Sequence, residues 1–433
     1  MKFNLMLSDV AVIVDCEHKT APESEPGNEY GYSVGTKSLA IGDIDFSKAK
    51  KIDEITFLEW SRRAVLKEGD LVLAREAPVG GVGYIDGSVP ICLGQRTVLV
   101  RPNANMIVPK YLFCYLRSPL AQEWLHEMST GTTVLHINVA DVKKMPIPHL
   151  PVVAAQSWLS ETICTIDDKI RLNTEISKTL EAIARTIFQS WFIDFDPVHA
   201  KMRGEKPEGM DDATAALFPK SFEESELGLI PKGWKVKQVR EVCETVVNGS
   251  TPLRSEANYW TSADIPWFKT GELADGFLYS SSEGITESAL KKTSVKLLPA
   301  GTVLMAIYAA PTVGRLGILT NEATFNQACT GMVPKPEFGS AFLYLYLRSQ
   351  RNWFNSFAVG SAQQNISKAI VESAPVVSPG INIQTVFRNI AEPLFSLIKK
   401  MGSESNNLSS IRDALLPRLI SGELEIPHEL LAS

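Results

Sequence analysis

The six cysteines (Cys16, Cys92, Cys114, Cys164, Cys243 and Cys329) are scattered, with no Cys-x-x-Cys pair and no histidine cluster near any of them. That spacing argues against a zinc site and against a disulfide framework, so no metal site is expected and a reducing cytoplasm is the expected compartment. Long apolar runs are missing too. No stretch approaches the roughly 20 residues of a membrane-spanning helix. The start, MKFNLMLSDVAVIVDCEHK, is broken by Ser8 and Asp9 and reads as a strand rather than a leader. Positive charge is in short supply: 43 Lys and Arg against 49 Asp and Glu give a formal charge of −6. Taken alone this speaks against nucleic-acid binding, because phosphate contacts need cations. A whole-chain sum leaves room for a local basic face or a basic partner.

Catalytic constellations are also absent. Gly31-Tyr32-Ser33-Val34-Gly35-Thr36-Lys37-Ser38 has the residue types of a phosphate loop but the wrong spacing, which wants four residues between the glycines and Lys directly after the second. It reads as a turn. There is no Asn-Pro-Pro-aromatic segment, no glycine-rich loop after a strand and no nucleophile triad. A chain of 433 residues without such a set points to recognition rather than catalysis.

What is present is a repeat. The chain is long enough for two or more domains, and its 45% hydrophobic and 21% charged composition is ordinary for a globular protein. Gly69–Arg75 followed by Ala77-Pro78-Val79-Gly80 recurs as Gly301–Ile307 followed by Ala310-Pro311-Thr312-Val313-Gly314. Tyr111-Leu112-Phe113-Cys114-Tyr115-Leu116-Arg117-Ser118 recurs as Phe342-Leu343-Tyr344-Leu345-Tyr346-Leu347-Arg348-Ser349, 231 residues on. Gln95, Gly131 and Pro146 find counterparts in Gln327, Gly360 and Pro375. Each copy runs through short β-rich segments, an aromatic helix, a polar loop, a Pro-rich exit and a long helix.

The long helices carry a 3.5-residue period, the mark of a coiled-coil seam. In the first the seam is Leu159, Ile163, Ile166, Ile170, Asn173, Ser177, Leu180, Ala184, Ile187 and Trp191; in the second it is Ile390, Leu394, Leu397, Met401, Glu404, Leu408, Ile411 and Leu415. The polar positions Asn173 and Glu404 match. Pro393 predicts a kink or a start near Glu392, while Pro197 and Pro417 predict the two ends. If the helices pack antiparallel, two globular copies sit at opposite ends about a pseudo-twofold axis. A seam of about 30 residues is roughly 45 Å long, comparable with the roughly 34–36 Å of a B-DNA turn. That geometry serves a DNA ruler and a protein scaffold equally.

Three segments carry a resemblance. Leu172-Asn173, Leu180-Glu181-Ala182-Ile183-Ala184 and Phe188-x-x-Trp191-Phe192-x-Asp194-Phe195-Asp196-Pro197-Val198 resemble the central conserved region of type I restriction–modification specificity subunits. Ala216-Leu217-Phe218-Pro219 through Leu227-Gly228-x-Ile230-Pro231-Lys232-Gly233-Trp234 resembles the opening of that family's second target-recognition domain. Leu415-Leu416-Pro417-Arg418-Leu419-Ile420-Ser421-Gly422-Glu423-Leu424 resembles its C-terminal conserved region. The Leu-Gly-x-Ile-Pro-x-Gly-Trp opening is missing before the first copy, so its edge strand is expected to be completed by other segments.

The resemblance implies an α/β (α+β) chain of two repeated target-recognition domains separated by an antiparallel two-helix coiled coil. The expected boundaries are 1–150 for domain 1, 151–200 for helix 1, 201–232 for a connector, 233–379 for domain 2, 380–425 for helix 2 and 426–433 for a tail. Each domain would read half of a bipartite, asymmetric target in double-stranded DNA. The coiled coil would set the spacer and dock two methyltransferase subunits, with restriction/translocase subunits completing the complex and no membrane involved. S-adenosylmethionine, ATP and Mg would be bound by those partners, and no cofactor by this chain, which is not itself an enzyme.

Base reading needs Arg, Lys, Gln, Asn, Ser or Thr on rigid loops. In the first copy the candidates are Thr132, Thr133, His136 and Asn138, with Arg75, Gln95 and Arg96. In the second they are Gln363, Gln364, Asn365 and Lys368, with Tyr308, Arg315 and Gln327. The bland alternative is a solvated polar loop, and for His136 an ordinary hydrogen-bonded histidine. Trp191 and Phe192 read as core, or else as an anchor for a methyltransferase subunit. The rival functions are a coiled-coil scaffold without DNA readout and an enzyme whose site has no recognisable motif.

Overall fold

A computed structural model describes residues 5–131, 134–147, 150–261, 264–308, 312–357 and 365–421. The chain divides into two compact units, one from residues 1–171 together with 406–433, the other from 172–405. The cuts fall inside the two long helices, so the helix pair is shared out between the units rather than standing as a domain of its own.

In the first unit the central sheet has the order Ala11–Asp15, Thr97–Pro102, Leu71–Arg75, Val79–Tyr84, all antiparallel. Leu71-Val72-Leu73-Ala74 is an unbroken apolar run and all four side chains are buried. Alternation along a strand sends them to opposite faces. Leu71, Leu73, Val98 and Val100 pack beneath the helix Pro109–Arg117, while Val72, Ala74 and Leu99 pack with Val34, Ile91 and Leu93 on the other side. A sheet buried on both faces explains the continuous apolar pattern. That second cover is a small sheet in which Gly31–Val34 lies antiparallel to Lys50–Ile52 and parallel to Ile91–Leu93.

The second unit repeats this plan. Its central sheet runs Cys243–Asn248, Cys329–Pro334, Val303–Ala306, Leu316–Leu319, with Phe277–Leu278 added parallel at the edge. Its small sheet places Ile265–Phe268 antiparallel to Glu283–Ile285 and parallel to Thr324–Phe325. Val303 and Met305 face one core, Leu304 and Ala306 the other.

The opening strands also correspond. Lys235–Gln238 pairs with the exit strand Pro375–Ser378, and Leu5–Met6 pairs with Pro146–Ile147. The first unit's edge is thus closed by its own exit segment, with two residues where the second unit has four. In both units the second tyrosine of the aromatic helix, Tyr115 or Tyr346, donates its hydroxyl to the carbonyl of the exit proline, Pro146 or Pro375. Burial pushes both phenols well above their ordinary range.

The long helices run Val153–Phe192 and Ile381–Ser421. The second begins well before Glu392 and passes through both Pro393 and Pro417, contrary to the kink or start and the end that those residues predict. Pro393 is exposed, so its ring meets solvent, and the burial of Phe387, Ala391 and Phe395 offsets a cost of about 3 kcal/mol for the lost bond. Within the second unit the helices are antiparallel: Asn173 Nδ2 donates to Glu404 Oε2 at 2.8 Å, and Phe192 meets Phe387 edge-on at 4.9 Å. Within the first, Asp167 accepts from Arg412 at 2.9 Å, and Leu415 and Leu416 pack with Leu159 and Ile163.

On the first helix Leu159, Ile163, Asn173, Ala184 and Trp191 are buried, with Ile166, Ile170, Ser177, Leu180 and Ile187 half-buried. On the second helix the inferred column needs correcting by one residue. Ala391, Phe395 and Leu416 are buried, with Ile398, Gly402, Ser405 and Arg412 in line between them. Leu397 and Ile411, by contrast, are 38% and 50% exposed. Ile390, Leu394, Met401, Leu408 and Leu415 flank the column half-buried, and Glu404 is exposed although it meets Asn173. The cause lies at the helix start, where Ile383, Phe387, Ala391 and Phe395 repeat every four residues and set the phase against the globular core. Gly402 then lets the Tyr279 hydroxyl reach the carbonyl of Lys399, where any Cβ would collide with it.

Candidate nucleic-acid interface

In the first unit most of the described candidates gather at one end of the central sheet, each tied to a neighbour. Arg75 ends its strand and is spent inside the fold: it donates to Asp15 at 3.1 Å and to the Ile137 carbonyl at 3.2 Å, with only 14% of its side chain exposed. Arg96 is half-exposed and sits 3.1 Å from Glu76. His136 bridges backbone to backbone with Thr130 and lies opposite Glu76, so it braces the loop. Asn138 is exposed at the start of the helix Val139–Lys143, with no side-chain cap bond. Thr132 and Thr133 lie outside the described residues. Asp15, Cys16 and His18 bring ligating atoms within 4.8 Å of one another. The Asp15 carboxylate is already held by Arg75 and His18, however, which makes the group an ion-paired brace.

In the second unit Tyr308 is 38% exposed and its carbonyl takes the Thr312 hydroxyl. Arg315 is half-buried and uses its backbone to close the turn onto Ala306. Lys368 is drawn inward, reaching the Val246 carbonyl at 3.2 Å and Glu372 at 3.0 Å. Asn365 is half-buried, and Gln363 and Gln364 lie outside the described residues. The polar loop returns in the same way in both units: Ile137 donates its N–H to the carbonyl of Arg75, and Ile366 donates to that of Ile307. Ile137 and Ile366 are both buried.

A second repeated contact involves Gln95 and Gln327. Thr20 donates its hydroxyl to Gln95 at 3.0 Å, and Thr251 does the same to Gln327, all four side chains being exposed or half-exposed. Each pair ties the loop after the first central strand to the turn before the last one. Beside the second pair lies a residue that motif reading missed. Arg254 stacks over Trp260 at 3.8 Å, faces Trp267 at 4.9 Å and pairs with Glu283. Glu283 also takes Lys269 at 2.6 Å, and these hydrogen bonds, Arg254's foremost, hold its carboxyl below the usual range.

Away from the loops, the arginine of the Tyr-Leu-Arg-Ser signature anchors each aromatic helix to a long helix. Arg117 meets Asp167 at 2.5 Å, and Arg348 meets Glu181. The repeat equivalent of Asp167 is Ile398, and that of Glu181 is Arg412. The arginine is retained in both copies, and both carboxylates are supplied by the first long helix. Trp191 and Phe192 pack with Phe218, Trp234 and Phe387, and are core.

The model of the type I restriction modification DNA specificity domain matches residues 7–182 and 231–411, one match for each copy of the repeat. The chain belongs to this family. It is similar to the type I restriction enzyme HindI specificity subunit of Haemophilus influenzae, 26% identical over 86% of this chain and 90% of that one. It is also similar to the MjaIX specificity subunit of Methanocaldococcus jannaschii, 25% identical over 87% and 82%. Among solved structures, the S subunit of a type I restriction-modification system from M. genitalium shares the fold, with a TM-score of 0.59 and 14% identity over 96% of each chain. No helix among the described residues is long and apolar enough to cross a membrane.

Proposed function

We propose that this specificity-family chain is the cytoplasmic DNA-recognition subunit of a type I restriction–modification complex. Each unit reads one half of a bipartite, asymmetric target. The helix pair sets the spacer and docks two methyltransferase subunits, and restriction/translocase subunits join them. Methyl transfer to adenine N6, translocation and cleavage belong to those partners, with S-adenosylmethionine, ATP and Mg bound there. The observation that carries this reading is the repeat: two sheets of one topology, each with a pinned loop cluster at the same end and each matched separately by the family. The candidate basic residues are largely paired with acids, so much of the phosphate neutralisation falls to the partners.

The test is to map methylated adenines genome-wide in cells with and without the gene, alongside binding of the reconstituted complex to the mapped site. A bipartite motif that vanishes with the gene supports the proposal. Assembly with partners but no motif would leave the scaffold reading in its place.

A further inference from the structure

The two units share a frame yet, on the recognition role proposed above, read different half-sites. Contacts that both units make cannot tell those half-sites apart. They suit what the half-sites have in common, namely the backbone and the positioning of the loops. The Thr20–Gln95 and Thr251–Gln327 pairs are of that kind. Discrimination must come from side chains that the frame holds rigidly but does not repeat.

One residue fits that description closely. The loop after Cys243–Asn248 is pinned at every turn. Ser250 takes the indole N–H of Trp267 at 3.0 Å, Leu253 takes that of Trp260 at 3.2 Å, and Thr251 is tied to Gln327. Gly249 lies so close to Phe325 and Asn326 that a Cβ would stand 2.2 Å from a carbonyl oxygen, so the loop seats flush on the turn. Arg254 rises from this platform with 52% of its side chain exposed. One face of its guanidinium lies on Trp260 and one terminal N–H is on Glu283, while its other N–H groups make no hydrogen bond among the described residues and the side chain is half-exposed.

We infer that Arg254 is a specificity-determining residue of the second unit, presenting its guanidinium edge to the O6 and N7 of a guanine in the major groove. A planar fork held at a fixed angle matches that pair of acceptors, and because it is already ordered, little side-chain entropy is lost on binding. A phosphate is the rival acceptor for an arginine fork. Two observations favour the base. The position three residues after the matched threonine is Glu23 in the first unit, an anion that serves no phosphate, so Arg254 belongs to what differs between the units. Glu283 also cancels part of the positive charge of Arg254 and Lys269, which weakens attraction for a charged phosphate more than hydrogen bonding to an uncharged base edge.

The experiment uses the full chain reconstituted with its methyltransferase subunits. Methylation rates are measured on duplexes carrying the mapped motif and on duplexes with each base of the second half-site changed singly. For the wild-type complex one guanine should be preferred by about 5- to 150-fold. Replacing that guanine with 7-deazaguanine, which lacks the N7 acceptor, should remove much of the preference with no change to the protein. Arg254→Gln and Arg254→Lys should both flatten discrimination at that position and leave the first half-site as it was, since Lys keeps the charge but loses the fork. A uniform loss on every duplex, restored by Lys, would make Arg254 a phosphate contact. Unchanged preferences in Arg254→Gln, or indifference of the wild type to 7-deazaguanine, would make it only a loop anchor. Either result overturns the inference while the recognition role stands; a wild-type complex with no motif at all overturns both.

Discussion

Asp167 holds together three elements of the first unit, and removing it is the sharpest test of how that unit is tied. Its carboxylate takes Arg117 from the aromatic helix at 2.5 Å and Arg412 from the second long helix at 2.9 Å. The Arg117 side chain is only 9% exposed, whereas those of Asp167 and Arg412 are 23% and 24% exposed. Asp167→Ala strands a nearly buried guanidinium and frees a second, half-buried one. Breaking a fully buried pair costs about 3–5 kcal/mol, and partial access of water to two of the three groups brings the expected loss to about 2–4 kcal/mol. Arg412→Ala leaves the Arg117–Asp167 pair intact and should cost about 1 kcal/mol or less. Asp167→Leu combined with Arg117→Met and Arg412→Met should recover much of the loss, because apolar side chains fill the site without stranding a charge. Hydrogen exchange of the segment 109–117 is the suitable assay, since it reads local opening without treating two units as one cooperative transition. If Asp167→Ala loosens that segment no more than Arg412→Ala does, the carboxylate is a surface pair and the reasoning fails.

Tyr115→Phe and Tyr346→Phe each leave the exit proline's carbonyl without its donor, and each should cost about 1–2 kcal/mol in its own unit, seen as faster exchange at Ile147 or at 376–378 only. Asn173→Leu removes the 2.8 Å bond to Glu404 and should lower the methyltransferase complex's preference for a single helix register, read by crosslinking between the two helices; unchanged crosslinks would contradict this. On the proposed spacer role, inserting four residues in each long helix at the Asn173–Glu404 level should lengthen the pair by about 6 Å. The methylated motif should then gain spacer bases while both half-sites keep their sequence. Exchanging residues 232–379 for those of a relative should change one half-site alone, and a change in both would deny the units their independence.

The sequence announced the two-copy organisation because the repeat supplies the central apolar run twice. Gly69–Arg75 and Gly301–Ile307 end as matching central strands, and the matched polar positions Asn173 and Glu404 turn out to face each other. The second helix's buried column lies one residue away from the 3.5-residue count for a physical reason. A 3.5-residue count extended from the first helix ignores that Ile383, Phe387, Ala391 and Phe395 recur every four residues against a globular core. Packing against that core sets the phase there, and the partner helix follows. The helix runs on through Pro393 because a proline's cost is local and a buried aromatic face outweighs it. The loop residues were the hardest to judge, because polarity alone does not say whether a side chain faces outward or inward. Arg75 and Lys368 look like reading residues in the sequence but are drawn into Asp15 and Glu372. Arg254 carried no motif, because what distinguishes it is made by Trp260, Trp267 and Glu283, brought around it from separate segments. A frame that is duplicated declares itself in one dimension, whereas a side chain posed by three-dimensional neighbours does not. The residues that separate one half-site from another are therefore to be sought where the two copies share a scaffold and part company in what they mount on it.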